Sequence, residues 1–156
     1  MIKTNLVAEL GKQEIVITRI FDSPCELVFK LTTDPNLIPQ WWGPKSLTTT
    51  VEKMDLRIGG VWRYIQRDPG GNEYAFYGVY HDIKPPERLV YTFEFEGMPG
   101  HVLLEIVTLE DQGGKTLYTD KTVFQTVQDR DGMLQSGMQE GAVESTDRLA
   151  ELLSKA

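Results

Sequence analysis

Two carboxylates, Glu105 and Asp120, are the residues of this sequence whose spacing suits acid–base chemistry. A turn centred on Gln112-Gly113 would place them directly opposite one another on the two strands of a hairpin. Mutual repulsion and burial would then raise at least one carboxyl pKa, as general acid catalysis requires. Tyr118 would lie on the same face and orient a substrate.

The face of this hairpin that points inward decides what the two carboxylates do. If Val107 and Tyr118 face the core, the carboxylates lie against the protein interior. If Ile106 faces the core instead, they are solvated, and a register slip of one residue exchanges the two arrangements. Both arrangements remain open from the sequence, and carboxylates with perturbed pKa values are more often structural than catalytic.

Aromatic side chains on a neighbouring segment are candidates for lining a ligand-binding cavity. From Leu89 to Phe95 the odd-numbered positions are large and apolar, whereas Thr92 and Glu94 are polar. This alternation predicts a strand whose odd-numbered face points inward. Tyr91 and the other residues of that face are therefore core or cavity residues.

The three tryptophans complete the candidate cavity. Trp41 and Trp42 precede Gly43-Pro44, and two adjacent indoles cannot point the same way, so one should anchor the loop while the other covers a cavity mouth. The sequence leaves open which face of the strand carrying Trp62 and Tyr64 points inward. The full set of candidate ligand-binding residues is Trp41, Trp42, Trp62, Tyr64, Tyr91, Phe93, Phe95, Leu134, Met138 and Gly141.

The last segment, Asp131 to Ala156, has the pattern of one long amphipathic helix. The stripe of apolar residues along this helix is interrupted by Gly137 and Gly141. Each glycine costs up to about 1 kcal/mol relative to alanine in a helix interior. These glycines indicate either a close approach of the sheet or a gap that admits a ligand, and close packing is the commoner reason. The residues of the stripe recur at three- and four-residue steps: Leu134, Met138, Ala142, Ser145, Leu149 and Leu152.

The elements that must position these residues follow a simple order. A first strand is followed by a short helix that begins at Pro24, a further helical turn or two before Gly43-Pro44, six consecutive strands and the long final helix. This order predicts an α+β fold in which a curved antiparallel sheet of about seven strands wraps around the final helix. The predicted strands span residues 13–21, 46–56, 59–66, 73–84, 87–96, 101–110 and 115–125.

Composition excludes several classes of protein. With 156 residues we expect one domain, residues 1–156, and the sequence has neither a secretory leader nor an apolar run of the roughly 20 residues that span a bilayer, which predicts a cytoplasmic protein. The single Cys25 and the two histidines, His81 and His101, exclude an internal disulfide and a recognisable zinc site. A net charge of −7 argues against nucleic-acid partners. We expect no cofactor and no metal.

A set of short motifs along almost the whole chain resembles a known family. The chain is similar to the helix-grip proteins of the START-like and birch-pollen-allergen superfamily (SRPBCC). Within it, the chain resembles the family named for homologues of the activator of the heat-shock-protein ATPase. The motifs that carry the resemblance are Trp41-Trp42-Gly43-Pro44, Asp55-Leu56-Arg57-Ile58-Gly59-Gly60-Val61-Trp62, Asp68-Pro69-Gly70-Gly71, Gly78-Val79-Tyr80, Pro85-Pro86-Glu87-Arg88-Leu89-Val90-Tyr91-Thr92, Gly113-Gly114-Lys115-Thr116 and Gly137-Met138.

The resemblance implies a pocket between the sheet and the C-terminal helix, which in relatives takes lipids, sterols, polyketides or other apolar molecules. We therefore expect a small soluble protein that binds an apolar or aromatic molecule. Two alternatives remain: an enzyme of the cyclase or hydrolase type that uses Glu105, Asp120 and Tyr118, and a regulator of a chaperone ATPase. A fold of this kind hosts many functions, so the resemblance does not name a ligand.

Overall fold

The computed structural model describes residues 3–155 as eight strands, three α-helices and a single 3₁₀ turn. The α-helices are α1 (Cys25–Thr33), α2 (Val127–Ser136) and α3 (Met138–Leu153), and the 3₁₀ turn is Ile38–Gln40. The strands are β1 (Asn5–Val7), β2 (Glu14–Phe21), β3 (Thr48–Met54), β4 (Val61–Arg67), β5 (Glu73–Lys84), β6 (Arg88–Phe95), β7 (Leu103–Gln112) and β8 (Lys115–Val123).

All eight strands form one antiparallel sheet in the order β1-β2-β8-β7-β6-β5-β4-β3. The strands from β3 to β8 are sequential neighbours, and β2 joins the sheet beside β8. This architecture confirms the predicted α+β helix-grip fold. The seven predicted strands are present, and the additional strand β1 is too short and too exposed, at Asn5–Val7, to give a detectable alternation.

The prediction of one uninterrupted helix from Asp131 is wrong. The chain forms α2 and α3 instead, and Gly137 separates them with a φ of +82°. Helix α2 also begins earlier than expected, at Val127. The Thr126 hydroxyl caps it by accepting a hydrogen bond from the Asp129 amide at 3.0 Å. A single left-handed residue ends one helix and starts the next without disturbing the three- and four-residue spacing, so periodicity alone does not detect it. The predicted end at Ala156 lies outside the described residues.

The core lies on the concave face of the sheet. Leu89, Tyr91, Phe93 and Phe95 all belong to the main hydrophobic cluster, as the alternation along β6 predicts. The structure also settles the face of β4, because Trp62 and Tyr64 are buried in the same cluster. Between them Arg63 points to the opposite face, where it pairs with Glu52 and Glu96.

Candidate functional site

A small, partly enclosed void of about 40 Å³ lies between the concave face of the sheet and the segment that follows α1. Aromatic side chains form most of its wall, and Glu105 is the carboxyl group that borders it. The residues that line it are Thr32, Trp41, Trp42, Trp62, Tyr64, Tyr80, Leu89, Tyr91, Phe93, Glu105, Val107 and Tyr118.

The void is small because aromatic rings fill the space around it. Pockets for drug-sized ligands measure roughly 300–1,000 Å³, whereas a single water needs roughly 10–15 Å³. Trp42 packs edge-on against Tyr64 and Phe76, with ring centroids at 5.0 and 5.4 Å, and lies 6.5 Å from Phe93. The space as it stands therefore suits a few water molecules, and a larger guest requires one of these rings to move.

The two adjacent tryptophans have different roles in this wall. Trp41 is buried, and its indole N–H donates a hydrogen bond to the Leu31 carbonyl at 2.9 Å, which fixes the segment to the end of α1. Trp42 is only half-buried and contributes its ring to the wall. Trp42 thus belongs to a loop, contacts the void and is partly exposed to solvent.

The Trp41–Lys45 loop is held in place by side chains of α3. Ser145 and Glu144 accept hydrogen bonds from the amides of Gly43 and Lys45 at 2.7 and 2.5 Å. From the next turn, Arg148 donates to the Gly43 carbonyl at 2.6 Å. The helix therefore closes the site through polar contacts with the loop.

Gly78 allows Trp62 to lie flat on the sheet. A Cβ atom at Gly78 would lie 1.8 Å from the Thr92 carbonyl oxygen and 2.7 Å from the indole nitrogen of Trp62. Such distances are far inside van der Waals contact, so any side chain here would displace the ring or separate β5 from β6. The indole N–H of Trp62 is buried and has no hydrogen-bond partner in the described part of the chain.

The carboxyl pair faces the interior, but its predicted pairing is wrong. Glu105 lies opposite Thr122, and Asp120 lies opposite Val107, so the two carboxylates are diagonal neighbours on the β7–β8 ladder. The turn is centred on Gly113-Gly114, both with positive φ, and not on Gln112-Gly113. The resulting change of two residues in register preserves the inward face, because side chains alternate with a period of two.

Burial dominates the electrostatics of this pair. Glu105 and Asp120 are intermediate in overall exposure, yet their carboxyl groups lie inside the protein, and Asp120 Oδ1 is inaccessible and without a hydrogen-bond partner in the described chain. Loss of hydration raises the pKa of Glu105, and loss of hydration together with repulsion from Glu105 raises the pKa of Asp120 well above its usual value. Both shifts favour the protonated form, and the stronger effect falls on Asp120.

Tyrosines surround the carboxyl pair. Burial, followed by the charge of Glu105 or Asp120, raises the pKa of Tyr91 and of Tyr118 well above the usual value. Burial likewise raises the pKa of Tyr64 well above the usual value, and that of Tyr80 to about 12. These phenols are neutral at physiological pH. They offer hydroxyl groups to the carboxyl pair but no positive charge that would balance a carboxylate.

The structure brings six of the ten predicted ligand-binding residues together around the void: Trp41, Trp42, Trp62, Tyr64, Tyr91 and Phe93. Phe95 lies outside it and stacks on Phe76 at 5.1 Å. Leu134 packs in a separate small cluster with Ile15, whereas Met138 contacts the main cluster away from the void. A Cβ atom added at Gly141 would lie 3.8 Å from Cδ of Pro44, which is an ordinary contact distance. Gly141 therefore marks neither a close approach of the sheet nor a gap for a ligand.

Four wall residues lie outside the set of ten candidate ligand-binding residues: Thr32, Tyr80, Leu89 and Val107. Of these, the sequence predicts Leu89 on the inward face of its strand, as a core or cavity residue. Tyr80 had a detectable signal, because it follows Phe76 and Gly78 at two-residue steps on a strand-like segment. Thr32 had none, since it belongs to a helix that meets the sheet only in the tertiary structure.

A larger recess, of about 840 Å³, opens to solvent beside the start of α1 and the turn between β5 and β6. Its rim carries both charge signs, with Lys84 and Arg88 opposed by Glu87 and Glu110. We assign the candidate site to the smaller void, because that space is less open to solvent than the recess and has aromatic walls. Within residues 3–155 no cluster of histidine, cysteine and carboxylate side chains has the arrangement of a metal site. No helix in that range is long and apolar enough to cross a bilayer.

The curved antiparallel sheet with its C-terminal helices defines a helix-grip protein. The family described as "Activator of Hsp90 ATPase homolog 1-like protein" matches residues 22–154, and the chain belongs to this family. No curated protein matches the sequence.

Solved structures of bacterial proteins share the whole fold. Protein Ms6760 from Mycobacterium smegmatis is 25% identical, with a TM-score of 0.87 over 98% of this chain and 97% of that protein. A protein from Arthrobacter aurescens is 24% identical, with a TM-score of 0.90 over 97% of this chain and 92% of that one. A protein from Rhodobacter sphaeroides is 21% identical, with a TM-score of 0.89 over 99% of this chain and 100% of that one. The last two similarities concern the fold alone.

Proposed function

We propose that this protein binds a small apolar or aromatic molecule in the void between the sheet and the Trp41–Lys45 loop. The observation that carries the proposal is a partly enclosed aromatic space with the carboxyl group of Glu105 on its wall. Stability alone does not favour this arrangement, because Glu105 and Asp120 lose hydration on burial without gaining a cationic partner. A ligand that uses the site explains the presence of both carboxyl groups.

Entry of such a ligand requires movement of the Trp42 ring. Trp42 is half-buried and belongs to a loop, whereas Trp62 and Tyr64 are fixed in a strand that is hydrogen-bonded on both sides. The loop is held to α3 by a few hydrogen bonds, which individually contribute about 0.5–1.5 kcal/mol. Displacement of Trp42 therefore costs less than opening the sheet.

An NMR titration tests the proposal, with indole and benzene as probes and with labelled leucine and valine methyl groups. We expect shifts of the Leu89 and Val107 methyl groups, which line the void, and none at the exposed Leu6 and Val7. The variant Trp42→Ala lacks one ring of the wall and should bind indole more tightly, which shows that the probe reaches the site. Absence of shifts at Leu89 and Val107 in the unsubstituted protein would contradict the proposal.

An enzymatic function is a second candidate, favoured by the burial of the carboxyl pair and the raised pKa of each member. Asp120 lies behind Glu105, so a proton would pass through Glu105 to a substrate in the void, and Tyr118 on the wall would orient that substrate. Carbon-detected NMR titration tests this candidate, because carboxyl pKa values both near the ordinary value of about 4 would remove the acid that the chemistry needs.

A regulatory function at a chaperone ATPase is a third candidate, favoured by the description of the family. Such a role needs a binding surface of several hundred Å² for the partner. A pull-down with the ATPase and a measurement of its turnover rate test it, and an unchanged rate with added protein would contradict it. The cytoplasmic location expected from the sequence is part of this proposal.

A further inference from the structure

One member of the carboxyl pair, Asp120, has an oxygen without a hydrogen-bond partner, whereas Glu105 is hydrogen-bonded by Tyr91 and Thr122. Neither Glu105 nor Asp120 forms a salt bridge with a lysine, arginine or histidine in residues 3–155. Asp120 Oδ1 is inaccessible and accepts no hydrogen bond from this part of the chain. The groups that face the pair are the neutral phenols of Tyr64, Tyr91 and Tyr118. Arg19 lies opposite Tyr118 on the neighbouring strand β2, and its guanidinium is paired with Asp147. The carboxyl pair therefore has no cation of its own.

The walls of the void favour a positive charge as well as an apolar body. Trp62 lies at right angles to Tyr91, with ring centroids 5.8 Å apart, and is tilted against Tyr64 at 4.7 Å. Aromatic faces attract cations by about 0.5–2 kcal/mol, more when water is excluded. Rings beside an unneutralised carboxyl pair provide the environment that a desolvated ammonium group requires.

A second polar group on the same wall independently indicates a polar guest. Trp62 is only 2% exposed and lines the void, yet its indole N–H has no acceptor within the described residues. Unpaired buried donors typically cost about 1–3 kcal/mol, so filling the void with purely apolar atoms leaves this cost in place. The indole nitrogen lies beside Gly78, so an acceptor atom of a bound molecule would remove this cost only where it reaches that edge of the ring.

We infer that the cavity selects molecules carrying an ammonium group, which Glu105 and Asp120 bind while the aromatic walls hold the rest of the molecule. This inference rests on the proposed function, because it names the chemical class of ligand for the same void. An ammonium group donates up to three hydrogen bonds to the carboxyl oxygens and supplies the positive charge that the described chain does not. Its arrival favours ionisation of both carboxyl groups, so binding at a pH where Asp120 is protonated releases a proton to solvent.

Isothermal titration calorimetry with two matched probes tests the inference. Benzylammonium and benzyl alcohol share a ring and differ in the group that would meet Glu105. At about 0.15 M salt, where surface attraction by an acidic protein is largely screened, we expect benzylammonium to bind at least about tenfold more tightly. Titrations in buffers of different ionisation enthalpy should show release of up to about one proton per bound ammonium.

Conservative variants connect this preference with the carboxyl pair. Glu105→Gln combined with Asp120→Asn should abolish the tenfold preference, since both side chains keep their shape but lose their charge. Asp120→Asn alone should keep the preference through Glu105 but abolish the proton release, and it serves as the test if the double variant does not fold.

The outcomes distinguish this inference from the proposed function. Equal affinity for the two benzyl probes, or a preference that survives the double variant, would overturn the inference. Binding of indole but not of benzylammonium would also overturn it, while the proposed function would stand. If neither indole nor benzylammonium binds, both proposals fail.

Discussion

Glu105 and Asp120 are diagonal neighbours on the inner face of the β7–β8 ladder, where Val107 lies opposite Asp120 and Thr122 lies opposite Glu105. Both carboxyl groups are inside the protein, where burial raises the pKa of Glu105 and burial together with repulsion from Glu105 raises the pKa of Asp120. The stability of the fold and the chemistry of the void therefore depend on the same two residues.

Replacement of Asp120 by asparagine should change how stability depends on pH. In the folded protein Asp120 keeps its proton to higher pH than in the unfolded chain, where aspartates titrate near 3.8. The stabilisation from this raised pKa is thus fully present below that value and is lost as pH rises through the raised pKa. Asp120→Asn should therefore match the unsubstituted protein at about pH 4 and exceed its stability at high pH, by about 1.4 kcal/mol per unit of pKa rise.

Urea unfolding between about pH 4 and pH 9 measures this difference. The exposed Asp111→Asn is a control of the same chemistry and should change stability by less than about 0.5 kcal/mol throughout. If Asp120→Asn shows a constant difference across the pH range, Asp120 does not hold the additional proton.

Gly78→Ala should destabilise the protein by about 3 kcal/mol or more, because the added methyl group meets the Thr92 carbonyl and the indole of Trp62. The matched control is Gly132→Ala in α2, where no atom lies within 4 Å of the added methyl group. That change should be neutral or stabilise by up to about 1 kcal/mol. Thermal unfolding compares the two variants, and a Gly78→Ala protein as stable as Gly132→Ala would contradict the close contact.

Gly137 and Gly141 should respond oppositely to substitution by alanine. Gly137 has a φ of +82°, where a Cβ atom costs about 1–2 kcal/mol, so Gly137→Ala should destabilise. Gly141 is inside α3 and has room for a methyl group, so Gly141→Ala should stabilise by up to about 1 kcal/mol. Stabilisation by both substitutions in urea unfolding would instead indicate one continuous helix.

Arg148→Gln should loosen the Trp41–Lys45 loop without unfolding the protein. The substitution removes the guanidinium that donates to the carbonyls of Gly43 and Gln40 at 2.6 and 3.1 Å. We expect a loss of about 1–2 kcal/mol and faster hydrogen exchange at the amides of Gly43 and Lys45.

Glu151→Gln is the control for this loop, since its ion pair with Lys45 is long, at 3.6 Å, and exposed. Pairs of this kind contribute about 0–1 kcal/mol. Exchange rates at Gly43 and Lys45 that are unchanged by Arg148→Gln would show that α3 does not hold the loop.

Periodicity along single segments predicted the strands, the inward face of β6 and the α+β order of elements, because burial on one face imposes a local pattern on the sequence. It failed at Gly137, where one residue changes the helix direction while the spacing of apolar residues continues. It also misplaced the β7–β8 turn by one residue, because neighbouring residues in the segment Gln112-Gly113-Gly114 all suit a turn.

The sequence by itself determined the alternation along β7 and β8, and Glu105 and Asp120 share a face because their register differs from the expected one by two residues and not by one. Only the tertiary structure decided that this face is the inner one and that Trp42 and Trp62 meet it around a void. The physical reason is that the void has walls from α1, the loop and five strands, which are distant along the chain. Its volume depends on how their rings pack together, and no segment encodes that packing alone.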